Sequence, residues 1–274
     1  MSPDERGAQL RLEGEFVTAE PLLRQALASA EAAGPAARSG VLAAALNALG
    51  LLCKDLGRYD EAHGYYLRAL TLLEREASAD PDDIATLYHN LGGIEHASGN
   101  YAAAEALARR GLAIRSGLGR PEDGRLAADQ VALAAILDGL GRYDEAERLY
   151  LEAITAFGQS AGAHDLDMAV ALSDLGAQDA EQGRLERARA RLSRAVELKR
   201  LALGPRHPDT AITLNNLAVA SYRAGAIEQA AALSAEAREI LEHALPPDHP
   251  RLAVCRRNAT AFAAAAGHSD PGHA

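Results

Sequence analysis

Tryptophan is absent from this 274-residue chain, and only 3 Phe, 8 Tyr, 2 Met and 2 Cys are present. With so few rings, the core must be filled by aliphatic side chains, and about 60 of the residues are alanine. Small side chains let backbones approach closely. That suits helix packed on helix, whereas sheets favour β-branched and aromatic residues. Cysteine is too sparse for a disulfide framework, since Cys53 and Cys255 stand about 200 positions apart. Basic charge is also short, with 28 Lys and Arg against 38 Asp and Glu, for a net charge of −10. An acidic chain with no basic run is a poor ligand for a phosphate backbone or an anionic membrane surface. No apolar run approaches the roughly 18–20 residues of a membrane span. The start, Met1-Ser-Pro-Asp-Glu-Arg6, lacks the apolar stretch of a secretory signal. Together these absences predict a cytoplasmic protein that binds neither nucleic acid nor membrane. Hydrophobic residues still make up 48%, enough for a sizeable core, and the length suits one or two domains.

What is present is a repeat. Gly57-Arg-Tyr-Asp-Glu-Ala62 recurs as Gly141-Arg-Tyr-Asp-Glu-Ala146, and weaker copies begin at Gly14, Gly99, Gly183 and Gly225, with a bare Gly267 beyond. The step is 42 residues, with one of 43 at the start. Before each glycine lies an amphipathic run; Leu46, Leu49, Gly50 and Cys53, for example, stand at i, i+3, i+4 and i+7 on one helical face. The glycine supplies a left-handed turn. Two positions later an apolar residue opens a second helix: Phe16, Tyr59, Tyr101, Tyr143, Leu185 and Ile227. Five positions after the glycine stands Ala19, Ala62, Ala104, Ala146, Ala188 or Ala230, as expected where two helices cross too closely for more than a methyl group. Fourteen positions before it stands another alanine, from Ala43 to Ala253, which predicts a second crossing between adjacent repeats. Linkers such as Gly34-Pro35, Asp80-Pro81, Gly119-Arg-Pro121, Gly204-Pro205 and Pro246-Pro247 separate the pairs.

These residues resemble the tetratricopeptide repeats. Leu46-x2-Leu-Gly50 followed by Ala62 and Tyr66 matches that family's pattern, as do Tyr88-x2-Leu-Gly92, Leu172-x2-Leu-Gly176 and Leu214-x2-Leu-Ala218. The 42-residue period, Leu214-Asn-Asn-Leu-Ala218 and the Gly204-Pro-Arg-His-Pro-Asp209 loop are most similar to the repeats of kinesin light chains. The resemblance implies an all-α, right-handed superhelical solenoid of about six hairpins plus a C-terminal capping helix. A single array over residues 1–266 is expected, followed by a flexible tail at 267–274. The first helix is expected near residues 4–13 and the last near 249–266.

Motifs that carry chemistry are missing. There is no phosphate-binding Gly-x4-Gly-Lys loop, no His-Glu-x2-His and no Gly-x-Ser-x-Gly, so neither cofactor nor catalytic residue is assigned. Gly117-Leu-Gly119 to Gly124 reads as a linker. His89 and His96 lie about 10 Å apart along one helix, too far to share one metal ion unaided. His207 and His249 each precede a proline at matching repeat positions and are expected to shape a loop. Asp80, Asp82 and Asp83 lack the rest of a calcium loop and are expected to cap a helix. Cys53 reads as a core thiol and Cys255 as a second thiol within a helical pattern; Arg256 and Arg257 beside Cys255 would lower its pKa only in the less favoured, redox-reactive reading.

The first helix of each pair would line the concave face of such an array. Positions there are rich in polar residues, and Asn offers a donor and an acceptor to a peptide backbone. The candidate partner-binding residues are Asn47, His89, Asn90, His96, Asn215, Asn216, Tyr222, Arg257 and Asn258. The resemblance implies that Asn90, Asn216 and Asn258 clamp a peptide backbone. Ala48, Ala132 and Asp174 interrupt that series, and the asparagines would equally serve contacts between neighbouring repeats. Lys54, Arg223 and Arg257 are too scattered for a carboxylate clamp, whereas Asp138, Asp174 and Glu181 favour a basic or neutral protein or peptide segment. A non-enzymatic scaffold is therefore expected. A peptide sensor that changes curvature and switches an effector is the alternative, and an enzyme built on His89, His96 and Asp138 is a third, weaker one.

Overall fold

The computed structural model describes residues 2–33, 39–120, 124–159 and 162–268. Among them are thirteen helices and no strand: α1 (Pro3–Leu12), α2 (Phe16–Ala32), α3 (Ser39–Asp55), α4 (Tyr59–Glu74), α5 (Pro81–Ala97), α6 (Tyr101–Gly117), α7 (Arg125–Gly139), α8 (Tyr143–Gly158), α9 (Asp165–Glu181), α10 (Leu185–Leu203), α11 (Pro208–Arg223), α12 (Ile227–Ala244) and α13 (Pro250–His268). Six are second helices, and each begins at the apolar residue that follows a repeat glycine by two. Those glycines, from Gly14 to Gly225, all have φ between 74° and 83°, the left-handed conformation glycine adopts without penalty. At Gly57 the turn is closed by Arg58 N–H donating to the Cys53 carbonyl at 2.8 Å and Gly57 N–H to that of Lys54 at 3.0 Å.

Four first helices, α1, α5, α11 and α13, start at side chains that replace the missing backbone acceptors. Ser2 and Glu5 form a capping box on α1, with Pro3 in the first turn. Asp80 caps α5 through a 2.9 Å bond from Asp82 N–H. His207 and His249 do the same for α11 and α13, each Nδ1 accepting from a backbone N–H two residues on at 3.1 Å.

The alanines five positions after each glycine are fully buried, all at 0% exposure. The earlier alanine column behaves differently from its expectation. A Cβ on Gly111 would lie 3.1 Å from the Ala85 carbonyl oxygen, so this crossing joins α5 to α6 within one pair, not adjacent repeats. Ala169 and Ala195 pack together likewise in α9 and α10. The matching position is small in every second helix: Ala26, Ala69, Gly111, Ala153, Ala195 and Ala237. Ala253 is exposed because no second helix follows α13 among the described residues. Gly267 also departs from the pattern and lies inside α13. Ser269 and Gly272 stand where the opening apolar residue and the crossing alanine would be.

The chain divides into two compact units, Met1–Ala156 and Phe157–Ala274. The first holds a core of Leu46, Cys53, Tyr66, Leu70, Leu87, Tyr88 and Ile94 with the alanines between them. The second holds smaller clusters around Ala169, Ala195 and Leu198 and around Ala218, Ala230 and Phe262. Gly34-Pro35, Pro121 and the tail beyond His268 lie outside the described residues.

Candidate partner-binding face

In the first unit α3, α5 and α7 are successive first helices, and in the second α9, α11 and α13 are. One position recurs along them, ten residues before the turn glycine, and its side chain reaches the next first helix. Asn47 Oδ1 accepts from Asn90 Nδ2 at 2.7 Å, and Asn215 Oδ1 from Asn258 Nδ2 at 3.1 Å. His89 Nδ1 lies 2.9 Å from Asp129 Oδ1, and Ser173 and Thr213 share a 3.4 Å hydroxyl hydrogen bond. The asparagines thus meet in pairs across neighbouring repeats. Each amide has two faces, so the Asn47 Nδ2 group and the Asn90 Oδ1 atom still have no protein partner among the described residues.

The remaining candidates lie apart from these pairs. Asn216 is half-buried without a side-chain hydrogen bond among the described residues. Tyr222 stacks on Phe262 with ring centroids 4.5 Å apart. Arg257 is exposed. His96 packs its ring on Tyr101, and burial holds its pKa below the usual imidazole value. His89 pairs with Asp129, while Asp138 accepts from the Tyr150 hydroxyl at 3.2 Å. Among the described residues no group of three His, Cys, Asp or Glu side chains converges as a metal site would require.

Two polar clusters sit behind this face where the neighbouring repeats are apolar. Arg115, 6% exposed, occupies the place that Leu73 takes one repeat earlier. It donates through Nε to Asp129 at 2.7 Å, through Nη1 to Asp82 and through Nη2 to Thr86 Oγ1 at 3.2 Å, while Arg125 also bonds Asp82. Of the expected capping cluster, Asp80 caps and Asp82 is instead the buried counter-ion of Arg115. In the second unit Lys199, also 6% exposed, fills the same repeat position and reaches the Asp209 carbonyl at 3.4 Å. Burial lowers the Lys199 pKa and pushes that of Asp174 up to about 6, with Lys199 and Arg251 pulling the carboxyl back. The sequence pattern hides both cations, because a helical stripe read along one segment does not compare columns. Stacked by repeat, the column reads Ala30, Leu73, Arg115, Phe157, Lys199, Leu241, and the charges stand out.

Both thiols are core groups. Cys53 and Cys255 are 0% and 1% exposed, and burial pushes each pKa up to about 11. At Cys255 burial prevails over the neighbouring arginines: Arg256 turns to Glu242 and the Pro247 carbonyl instead of the sulfur.

A family model described as tetratricopeptide repeat matches residues 3–75, 83–159 and 167–243. No curated protein matches the sequence. Among solved structures, BtubC (BKLC) from P. vanneervenii is similar at 21% identity and TM-score 0.59, over 96% of this chain and 95% of that one. NprR in complex with its cognate peptide NprX is similar at 14% identity and TM-score 0.67, over 97% and 71%. The TPR-like repeats of a kinesin light chain-like protein of Podosopora anserina give 20% identity and TM-score 0.52, over 72% and 92%.

Proposed function

Because this chain belongs to the tetratricopeptide repeat family, we propose that it is a non-enzymatic scaffold that holds a peptide or protein segment along its first helices. The observation carrying this reading is the recurrent polar column, which spends only half of each asparagine amide on the neighbouring repeat. An extended backbone laid across α3 and α5, or across α11 and α13, would meet one open donor and one open acceptor at each pair. Negative charge at Asp138 and Asp174 favours a basic or neutral segment. Affinity capture from the native cell tests the reading. The wild-type chain is expected to retain a partner that Asn47→Ala/Asn90→Ala and Asn215→Ala/Asn258→Ala variants lose while keeping their helical content. Equal capture by all of them would refute it.

A second reading, a peptide sensor that tightens and switches an effector, draws support from the similarity to NprR with its peptide NprX. A contraction in solution scattering on adding the captured segment would favour it over a rigid adaptor.

A further inference from the structure

Between α3 and α5, backed by α4, lies a cavity of about 130 Å³. That is room for roughly four water molecules at about 30 Å³ each, or a linear side chain of similar volume. Its walls are apolar, made by Ala43, Ala44, Leu73 and Leu87, and its polar groups are Asn47, Thr86 and Asp83. Asp83 is exposed and has no ion pair among the described residues. Burial of its flank and the Asp80 charge raise its pKa, as befits a carboxylate lacking a cation.

The neighbouring repeats show what this niche accepts. One repeat on, the Leu73 position is Arg115, whose guanidinium fills the corresponding space and binds Asp82, Asp129 and Thr86. In the second unit the same position is Lys199, which reaches the backbone of Asp209, the repeat equivalent of Asp83. Basic side chains supplied from inside thus occupy two of these niches. Leu73 is too short and carries no charge, and the Asp82 and Asp129 that hold Arg115 correspond here to Gly40 and Leu87. The α3–α5 niche therefore has apolar walls and, at the position of Asp209, the Asp83 carboxylate, with no cation among the described residues.

We propose that this cavity is a subsite for a lysine or arginine side chain of the bound segment, which enters from the first-helix face and sets its charge on Asp83. The aliphatic stem lies against the alanine and leucine walls while the head stays at the rim. The proposal rests on the partner-binding reading and adds to it one residue of sequence preference.

The probes are the Nα-acetyl methylamides of lysine, arginine and norleucine, titrated into the isotopically labelled full chain and followed by backbone amide shifts. The lysine and arginine probes are expected to move Ala44, Asn47, Asp83 and Thr86 with saturation, and norleucine to bind at least about tenfold more weakly. Asp83→Asn, an exposed and isosteric change, is expected to remove that preference. Leu73→Arg is expected to close the niche from inside. Equal binding of norleucine, no shifts on α3 and α5, or an unaltered lysine response in Asp83→Asn would overturn the subsite. Loss of the captured partner in the asparagine variants but not in Asp83→Asn would overturn the subsite alone and leave the scaffold reading standing.

Discussion

At Ala62 a helix crosses its partner with no surface left exposed, so the methyl is the whole allowance. Ala62→Leu is expected to destabilise by about 1–3 kcal/mol through overpacking, while a leucine at the exposed Ala102 changes little; denaturant melts of the two variants check this. Arg115 poses the opposite problem. Removing it as Arg115→Met leaves buried Asp82 only the largely exposed Arg125 and buried Asp129 only His89, at a cost of up to about 3–5 kcal/mol, and adding Asp129→Leu is expected to recover part of the loss. Asp174 makes the stability depend on pH. Its folded pKa of about 6 lies above the ordinary carboxylate value of 3.8, so the folded state binds the extra proton between those limits. Stability therefore falls as pH rises through that window, because the ionised group is disfavoured at its half-buried site. Asp174→Asn is expected to be more stable than wild type at pH 7 and indistinguishable below about pH 4, and thermal melts across that range decide it.

Among the elements, the second helices were legible to the residue, because glycine, apolar opener and alanine are each forced by local geometry. Their first residues coincide with the sequence expectation at Phe16, Tyr59, Tyr101, Tyr143, Leu185 and Ile227. The polar column was legible only in part. Asparagine suits a peptide backbone and a neighbouring asparagine equally, and the sequence does not say which it meets; here Asn90 meets Asn47. Buried Arg115 and Lys199 are not legible along a single segment, since each sits in a polar-looking stretch whose inward face the helical period alone does not single out. The expected loop role of His207 and His249 becomes a specific one, the cap of α11 and of α13. His207→Ala is expected to cost about 1 kcal/mol, and His207→Asn, which restores an acceptor, distinctly less; chemical denaturation separates them.

On the scale of the whole molecule, a repeat chain tolerates loss of a complete period better than loss of a fraction. Deleting residues 58–99 joins Gly57 to Asn100 and restores the glycine–aromatic spacing at Tyr101, so helicity per residue and cooperative melting are expected to persist. Deleting 58–78 breaks the phase, and loss of cooperativity in circular dichroism would show it. The two cysteines acquire a use at this scale. Cys53 lies in one compact unit and Cys255 in the other, both sealed from solvent and both poor nucleophiles at neutral pH. A thiol reagent therefore reads the opening of each unit separately, and digestion with mass spectrometry tells which sulfur was tagged. The chain carries one native chemical clock per unit, with no label to introduce, and the ratio of their two rates measures how far the halves unfold as one.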